Sequence, residues 1–252
     1  YVHWFSDTLK TYTVNCYAFA EGYNGDSYSR RVEVVKSGLD GSITQSGIAA
    51  SDKKITVDGV DYYYVNIGGL DWFRNNLASA GSGTSYLNED IVSDIFGRYY
   101  SYDEAVNACP EGWRLPSEED WMALADAMGS PASGKYESFS NVAAKLMVNA
   151  YFNETALLEY WPQVGDVNNE SKLSFMPFGY ANLGIRNEEG KYPSASFEGM
   201  KEYVAVWTSD MVEDEDGMAY FRYIITDQPE MLVGKGDVNT FGASVRCVRD
   251  AE

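Results

Sequence analysis

Apolar and polar residues alternate over two short runs near the start of the chain. In residues 12–20 every second side chain is small or apolar, and residues 29–35 form a second alternating run. Between them residues 22–27, GYNGDS, contain Asn-Gly and Gly-Asp pairs, which tolerate the positive φ values of tight turns. The pattern predicts a β-hairpin. Because an isolated hairpin is only marginally stable in water, we expect it to belong to a larger sheet or to dock on the rest of the chain.

A stretch with few large apolar side chains follows at residues 37–54 and begins rich in Gly and Ser. This composition is typical of a linker, so we expect the main domain to span residues 55–252. Residues 55–67 then alternate around Asp58-Gly59, which predicts a second hairpin with a tight turn. Residues 71–77 are expected to form a buried strand.

Two capped helices are predicted in the middle of the chain. Ser101 and Glu104 have the spacing of a capping box, and the helix that they begin should end near Cys109. Ser117 begins a second helix with acidic residues in its first turn, and Gly129 ends it. The apolar side chains that recur at helical spacing and should face the core are Trp121, Leu124, Ala125 and Met128. Further elements are a third helix at residues 141–150 and strands at 203–207 and 219–223.

The connection between the two helices, residues 108–121, has the sequence ACPEGWRLPSEEDW. Its density of proline, tryptophan and cysteine is compatible with a catalytic site or with a structural nucleus. We favour the structural interpretation, in which Trp113 and Trp121 anchor the helices to the sheet. Arg114 is then expected to pair with a nearby acid or carbonyl group.

The main domain contains two cysteines, Cys109 and Cys247. If they pair, the bridge closes most of the domain, and a loop of that length contributes about 4–5 kcal/mol in the chain-entropy model. The alternative is two buried free thiols. A stable disulfide would indicate an oxidising compartment.

Charge and composition narrow the classes of partner. The 252 residues carry a formal net charge of −19, which repels the phosphates of nucleic acids and anionic lipid surfaces. Aromatic residues make up 15% of the chain, so the acidity is not that of a disordered protein. Three cysteines and one histidine leave little material for zinc, haem or iron–sulfur sites. No apolar run is long enough for membrane insertion, and we expect more protein upstream of Tyr1.

Several segments of the chain, in the same order, resemble the Fibrobacter succinogenes major paralogous domain, a family of secreted and surface proteins of Bacteroidetes and Fibrobacteres. The segments are residues 97–100 (GRYY), 108–117 (ACPEGWRLPS), 175–179 (FMPFG), 206–209 (VWTS) and 245–249 (VRCVR). The resemblance implies an α+β, C-type-lectin-like fold with two main helices and twisted antiparallel strands. It also implies a location outside a bacterial cell or on its outer-membrane surface. The hairpin of residues 1–36 resembles the last strands of an immunoglobulin, fibronectin type III or PKD sandwich.

Two activities of related folds require residues that this sequence does not arrange in the expected way. The oxidase chemistry of formylglycine-generating-enzyme-like domains needs a reactive cysteine pair near the end of the domain, and Cys247 has no partner close in sequence. Calcium-dependent lectins use a Gln-Pro-Asp or Glu-Pro-Asn loop followed by Trp-Asn-Asp. Here residues 207–210 (WTSD) precede residues 227–230 (DQPE), the reverse order. We therefore expect no cofactor, with calcium at the acidic loop of residues 210–216 as the weaker alternative.

The sequence thus favours a non-catalytic module that binds a glycan or a surface protein and acts as a monomer. Exposed aromatic rings could stack on sugars, and Tyr180, Tyr192 and Phe197 are the candidates, with a buried role as the alternative for each. Trp207 and Asp210 are further candidates from the reversed calcium-like motif, with a core position as the alternative for Trp207. The competing functions are a structural or assembly module and a hydrolase with an unrecognised carboxylate pair.

Overall fold

A computed structural model of the chain describes residues 8, 10–18, 21–22, 25–34, 52–79, 81–148 and 167–251. The strands in these residues are β1 Lys10–Ala18, β2 Asp26–Val34, β3 Lys54–Val57, β4 Val60–Ile67, β5 Leu70–Phe73, β6 Tyr180–Asn182, β7 Ser196–Glu198, β8 Tyr203–Met211, β9 Met218–Ile225, β10 Leu232–Asp237, β11 Phe241–Gly242 and β12 Val248–Asp250. The α-helices are α1 Ser93–Phe96, α2 Tyr102–Ala108, α3 Glu118–Ala127 and α4 Ala143–Leu146, with short 3-10 turns at Tyr86–Asn88 and Asp90–Val92. The architecture is α+β, with antiparallel sheets.

The predicted N-terminal hairpin is confirmed. β1 and β2 pair in antiparallel register from Lys10↔Val34 to Ala18↔Asp26. The hydroxyl group of Tyr12 donates a hydrogen bond to the carbonyl of Thr8 at 3.2 Å. Most described side chains of this hairpin are exposed. The predicted linker at residues 37–54 lies almost wholly outside the described residues.

A four-stranded sheet brings the two ends of the main domain together, in the order β12-β5-β4-β3. The predicted hairpin of β3 and β4 is confirmed, and Asp58 and Gly59 at its turn both have positive φ. The predicted strand at residues 71–77 is too long, because β5 ends at Phe73. The chain turns away at Arg74, whose Nε donates to the Lys172 carbonyl at 2.8 Å.

Both predicted capped helices are confirmed. The Ser101 side chain accepts from the Glu104 amide, and the Glu104 carboxylate accepts from the Ser101 amide, which completes the capping box of α2. Ser117 and Asp120 form the same reciprocal arrangement at the start of α3. The apolar stripe of α3 faces inward: Trp121, Leu124 and Ala125 are fully buried, and Met128 is half-buried.

The third predicted helix is shorter than expected. Within residues 141–148, α4 covers only Ala143–Leu146, and residues 149–150 lie outside the described part. Asn141 has a φ of 58°, outside the helical region, so the helix cannot begin there. At the other end the chain becomes extended, and the Val148 amide donates to the Phe175 carbonyl at 3.0 Å.

The connection at residues 108–121 is a packed structural unit. Cys109 and Cys247 form a disulfide with a Cα–Cα distance of 5.7 Å, which confirms their pairing. The Trp113 ring lies 4.3 Å from the Phe73 ring, and Trp121 lies 4.7 Å from Trp72. Arg114 pairs with Asp120, as expected from the sequence, with Nη2 donating to Oδ1 at 3.0 Å.

A three-stranded sheet in the order β10-β9-β8 lies at the centre of the domain. Successive residues of a strand point to opposite faces, so Val204 and Val206 lie on one face and Ala205 and Trp207 on the other. The first pair belongs to an apolar cluster with Trp121 of α3. The second pair belongs to a separate cluster that contains Trp113, Leu115 and Cys247. None of the helices in the described part of the chain has the length and the apolar composition that a membrane span requires.

Candidate ligand-binding groove

The second face of the central sheet is buried at one end and open at the other. Trp207 and Ala219 are fully buried, whereas Tyr203, Tyr223 and Ile225 on the same face are only half-buried. The register pairs Tyr203 with Ile225 and Ala205 with Tyr223, so these side chains form one continuous surface. The surface is therefore part of the core at one end and accessible at the other.

A groove of about 390 Å³ lies over this open end. Its lining residues are Tyr180, Tyr203, Ala205, Phe221, Tyr223, Ile225, Gly234, Lys235 and Phe241. They come from β6, β8, β9, β10 and β11, that is from two different sheets. Five of the nine carry aromatic rings, which is typical of concave ligand sites with an apolar floor and few polar groups.

The rings of the groove contact one another in a continuous cluster. Phe221 and Phe241 have ring centroids 4.5 Å apart, and Tyr180 lies 5.6 Å from Phe241. Tyr180 and Tyr203 meet edge to face at 6.0 Å. These distances are in the range favoured by aromatic pairs, so each ring restricts the orientation of the next. The buried Trp207 extends the cluster inward, 5.4 Å from Phe241.

Two glycines of β10 make room for these rings. A Cβ atom at Gly234 would lie 2.5 Å from the Cζ atom of Phe221. At Gly236 it would lie 2.5 Å from the Phe241 ring. Glycine in a strand interior usually marks a position where another group approaches closely. The floor of the groove therefore depends on the absence of a side chain at these two positions of β10.

A polar rim borders the groove on β6 and β7. The hydroxyl group of Tyr180 donates to Oε2 of Glu198 at 3.0 Å. The Asn182 amide group donates to Oε1 of the same carboxylate, also at 3.0 Å. Burial, followed by the hydrogen bond to Glu198, raises the pKa of Tyr180 above its ordinary value. Tyr180 therefore remains a neutral hydrogen-bonding group at physiological pH.

Lys235 is the charged residue among those that line the groove. It pairs in register with Tyr220, on the opposite face of the sheet from Gly234 and Phe221. Its ammonium group forms an ion pair with Glu215 and lies 6.0 Å from the Tyr220 ring centroid. Its positive charge is therefore compensated on the far side of the strand.

The three aromatic residues that the sequence suggests for stacking on sugars lie in three different environments. Tyr180 lines the groove. The expectation is wrong for Tyr192, which is 3% exposed and donates its hydroxyl hydrogen bond to Glu104 at 2.9 Å. Phe197 is half-buried and points away from the rim, because it alternates with Glu198 along β7 and packs 5.3 Å from the Tyr99 ring.

The remaining two candidates lie in structural positions. Trp207 is fully buried and donates from Nε1 to the Tyr100 carbonyl at 2.8 Å, so it supports the groove without lining it. The carboxylate of Asp210 accepts from the Glu118 amide at 2.9 Å and from the Tyr136 hydroxyl at 3.0 Å. These contacts join β8 to the start of α3. Neither residue lies among those that line the groove.

Four aromatic residues of the groove were missed as ligand contacts: Tyr203, Phe221, Tyr223 and Phe241. The first three lie in segments that the alternating pattern predicts as strands. Alternation assigns them to a common face, but it does not show which face remains uncovered.

The acidic loop between β8 and β9 does not assemble a cation site in the described residues. Asp210 is engaged by α3, and Glu215 pairs with Lys235. Across the described ranges no group of three or more His, Cys, Asp or Glu side chains is placed to hold a metal ion.

Comparison with known proteins identifies the family. The model of the Fibrobacter succinogenes major domain matches residues 65–249. The chain belongs to this family. The match begins in β4 and ends in β12, so it includes the disulfide and every strand that forms the groove. No curated protein and no solved structure matches the chain.

Proposed function

We propose that this Fibrobacter succinogenes major domain is a non-catalytic binding module that captures a glycan in the aromatic groove. The observation that carries the proposal is the open cluster of Tyr180, Tyr203, Phe221, Tyr223 and Phe241. Sugar rings present C–H groups on their faces and hydroxyl groups at their edges. Aromatic rings can cover the faces, and tyrosine hydroxyl groups can bond the edges.

The rim supports the same function. Sugar hydroxyl groups donate and accept hydrogen bonds, and the rim offers a carboxylate at Glu198 and an amide at Asn182. Both groups are exposed beside the ring of Tyr180. A rigid aromatic floor also keeps the entropy cost of binding low, because the rings already restrict one another.

We further propose a C-type-lectin-like fold for residues 55–252. Three features support it. The last strand, β12, pairs with β5 from the N-terminal part of the domain, and two capped helices precede the central sheet. A disulfide joins the end of α2 to the C-terminal segment. In this proposal the glycan site is the aromatic groove and not a calcium loop.

The location that we propose is the outside of a bacterial cell or its outer-membrane surface. The disulfide between Cys109 and Cys247 supports an oxidising compartment.

For residues 1–36 we propose the end of an immunoglobulin-like sandwich. The hydrogen bond from the Tyr12 hydroxyl to the Thr8 carbonyl supports it, because a corner tyrosine of such domains bonds upstream backbone.

A glycan array tests the function directly, with the wild type compared with Tyr203→Ala and Tyr223→Ala. Specific binding that both variants lose supports the groove as the site. Tyr220→Ala is the matched control, because Tyr220 lies on β9 with its ring on the opposite face, 3.9 Å from that of Tyr136. Binding that survives both groove variants contradicts the proposal, and so does the absence of any binding.

A structural or assembly role is the second candidate. The observation that favours it is the exposed hairpin, on which Tyr17 is 73% and Tyr28 is 67% exposed. Large exposed apolar rings on a two-stranded sheet are suited to contact with another protein surface. Concentration-dependent light scattering of the wild type and of Tyr17→Ser/Tyr28→Ser would detect self-association through this hairpin.

A further inference from the structure

Building on the proposed glycan-binding function of the aromatic groove, we propose that it prefers sugars with a free amine, so that its ligand class is the hexosamine oligosaccharides. The proposal comes from the carboxylate of Glu198, which lies at the rim beside aromatic rings in a chain of net charge −19. It names the chemical feature by which the groove would distinguish one glycan from another.

The rim carboxylate is held in place and still has capacity for a ligand. Each oxygen of Glu198 accepts one hydrogen bond at 3.0 Å, from Tyr180 or from Asn182. A carboxylate oxygen has two lone pairs, so each oxygen can accept a second bond. Glu198 is exposed, and an ammonium group supplies three donors. A sugar amine over Tyr180 can therefore form a charge-assisted hydrogen bond with Glu198.

The aromatic lining of the groove also favours a positively charged ligand. The faces of aromatic rings carry negative electrostatic potential and attract cations placed within about 6 Å of the ring centroid. Tyr180, Tyr203 and Tyr223 contribute such rings to the groove from β6, β8 and β9. A cationic group that enters the groove thus meets attractive rings as well as a carboxylate.

Lys235, the charged residue of the described groove lining, does not oppose a cation. The ammonium group of Lys235 is paired with Glu215 on the other side of β10, so its charge is compensated there. The net charge of the whole chain attracts cations from solution over the distance of a Debye length. A uronic acid or a sulfated sugar would meet the Glu198 carboxylate and would be repelled.

The test is the affinity of the purified chain for a matched pair of oligosaccharides, a tetramer of glucosamine and its fully N-acetylated counterpart. Both present the same sugar ring, but only the first carries amines. At a mildly acidic pH, where the sugar amines are protonated, we expect the amine form to bind about tenfold more tightly at low salt, with a smaller difference at high salt. Glu198→Gln should remove most of the difference and leave the smaller part that the aromatic rings and the net charge of the chain contribute. Glu137→Gln should retain it, because the Glu137 carbonyl bonds Arg222 on the opposite face of the sheet.

The outcomes separate this inference from the proposed function. Equal or tighter binding of the acetylated tetramer, lost in Tyr203→Ala and Tyr223→Ala, overturns the amine preference and upholds glycan binding in the groove. A preference for the amine that is as large in Glu198→Gln as in the wild type overturns the assignment to Glu198. If neither tetramer nor any other glycan binds, the proposed function and this inference both fail.

Discussion

Glu118 and Arg222 form an ion pair in which neither side chain is exposed to solvent. Glu118 lies in the first turn of α3, Arg222 lies in β9, and Nε of the arginine donates to Oε2 of the glutamate at 3.1 Å. The guanidinium group also donates to the Glu137 carbonyl at 2.7 Å and lies 3.8 Å from the ring centroid of Phe139. The pair thus joins the helix to the face of the sheet that is opposite the groove.

Removal of one partner should destabilise the fold strongly. Glu118→Gln leaves the buried charge of Arg222 uncompensated, and such changes cost about 3–5 kcal/mol. Arg222→Met leaves the negative charge of Glu118 buried without its ion-pair partner and should destabilise the fold by a similar amount. Urea denaturation measures both. The control is Lys191→Met, which removes an ion pair with Glu189 that is exposed on both sides and should leave the midpoint unchanged. A Glu118→Gln midpoint equal to that of the wild type would contradict the assignment.

The disulfide should contribute about as much to the stability of the fold as the buried ion pair does. Cys109 and Cys247 are 138 residues apart in sequence, and the chain-entropy model assigns about 4–5 kcal/mol to a loop of that length. Cys109→Ala/Cys247→Ala should therefore lower the melting temperature of the oxidised protein, and a reducing agent should lower that of the wild type. Cys16→Ser is the internal control, because Cys16 is a free and exposed cysteine. An unchanged melting temperature on reduction would refute the prediction.

Trp113 should be a sensitive position of the connection between α2 and α3. Its ring contacts those of Phe73 and Tyr64, and the guanidinium group of Arg249 lies 4.7 Å from its centroid. Trp113→Ala would remove these contacts and leave a cavity, at a cost of about 3–5 kcal/mol. Trp113→Phe keeps an apolar ring and should cost clearly less. Thermal melting compares the two, and a Trp113→Ala variant as stable as the wild type would refute a core role.

Local patterns predicted the helices well because their signals lie within a few residues. The capping boxes at Ser101 and Ser117 each join residues three positions apart, so the sequence contains the whole motif. The hairpin turn at Asp58-Gly59 is equally local. The end of α4 was not predictable in this way, because Met147, directly after the helix, pairs with Phe175 far along the chain.

The candidate site was predicted only in part. Tyr180 and Tyr192 are both tyrosines near short polar segments, and nothing local distinguishes them. Tyr192 is buried because its hydroxyl group bonds Glu104, 88 residues away. Phe241 enters the groove from a different sheet than Tyr203 and Tyr223. Which face of a strand stays uncovered is a property of the tertiary packing, and the alternating pattern does not contain it.

The turn after β10 should link acid pH to the groove. Oδ1 of Asp237 accepts hydrogen bonds from the amides of Asn239 and Thr240 and from the Thr240 hydroxyl, at 2.9–3.0 Å. These bonds, that of the Asn239 amide above all, hold the pKa of Asp237 below its ordinary value. The turn leads directly into Phe241 of the groove.

Because the pKa of Asp237 is lowered in the folded protein, acid pH should destabilise the fold. The contribution of Asp237 to stability is fully present above the ordinary pKa of an aspartate, and it is lost as the pH falls through the lowered value. Asp237→Ala should therefore flatten the acid limb of a stability profile and weaken glycan binding at neutral pH. Asp237→Asn keeps an acceptor oxygen and should bind nearly as well as the wild type. Equal binding by the alanine variant would contradict a positioning role for this turn.

Gly234 offers the sharpest test of the groove itself. A Cβ atom there would lie 2.5 Å from the Phe221 ring, so Gly234→Ala must displace that ring from the floor of the groove. We expect a severalfold loss of glycan affinity in titration calorimetry while the protein remains folded by circular dichroism. Gly81→Ala is the matched control, because its Cβ would meet nothing closer than 3.8 Å and its φ is not positive. Full affinity in Gly234→Ala would show that the position of the Phe221 ring is irrelevant to binding, and the groove would then not be the site.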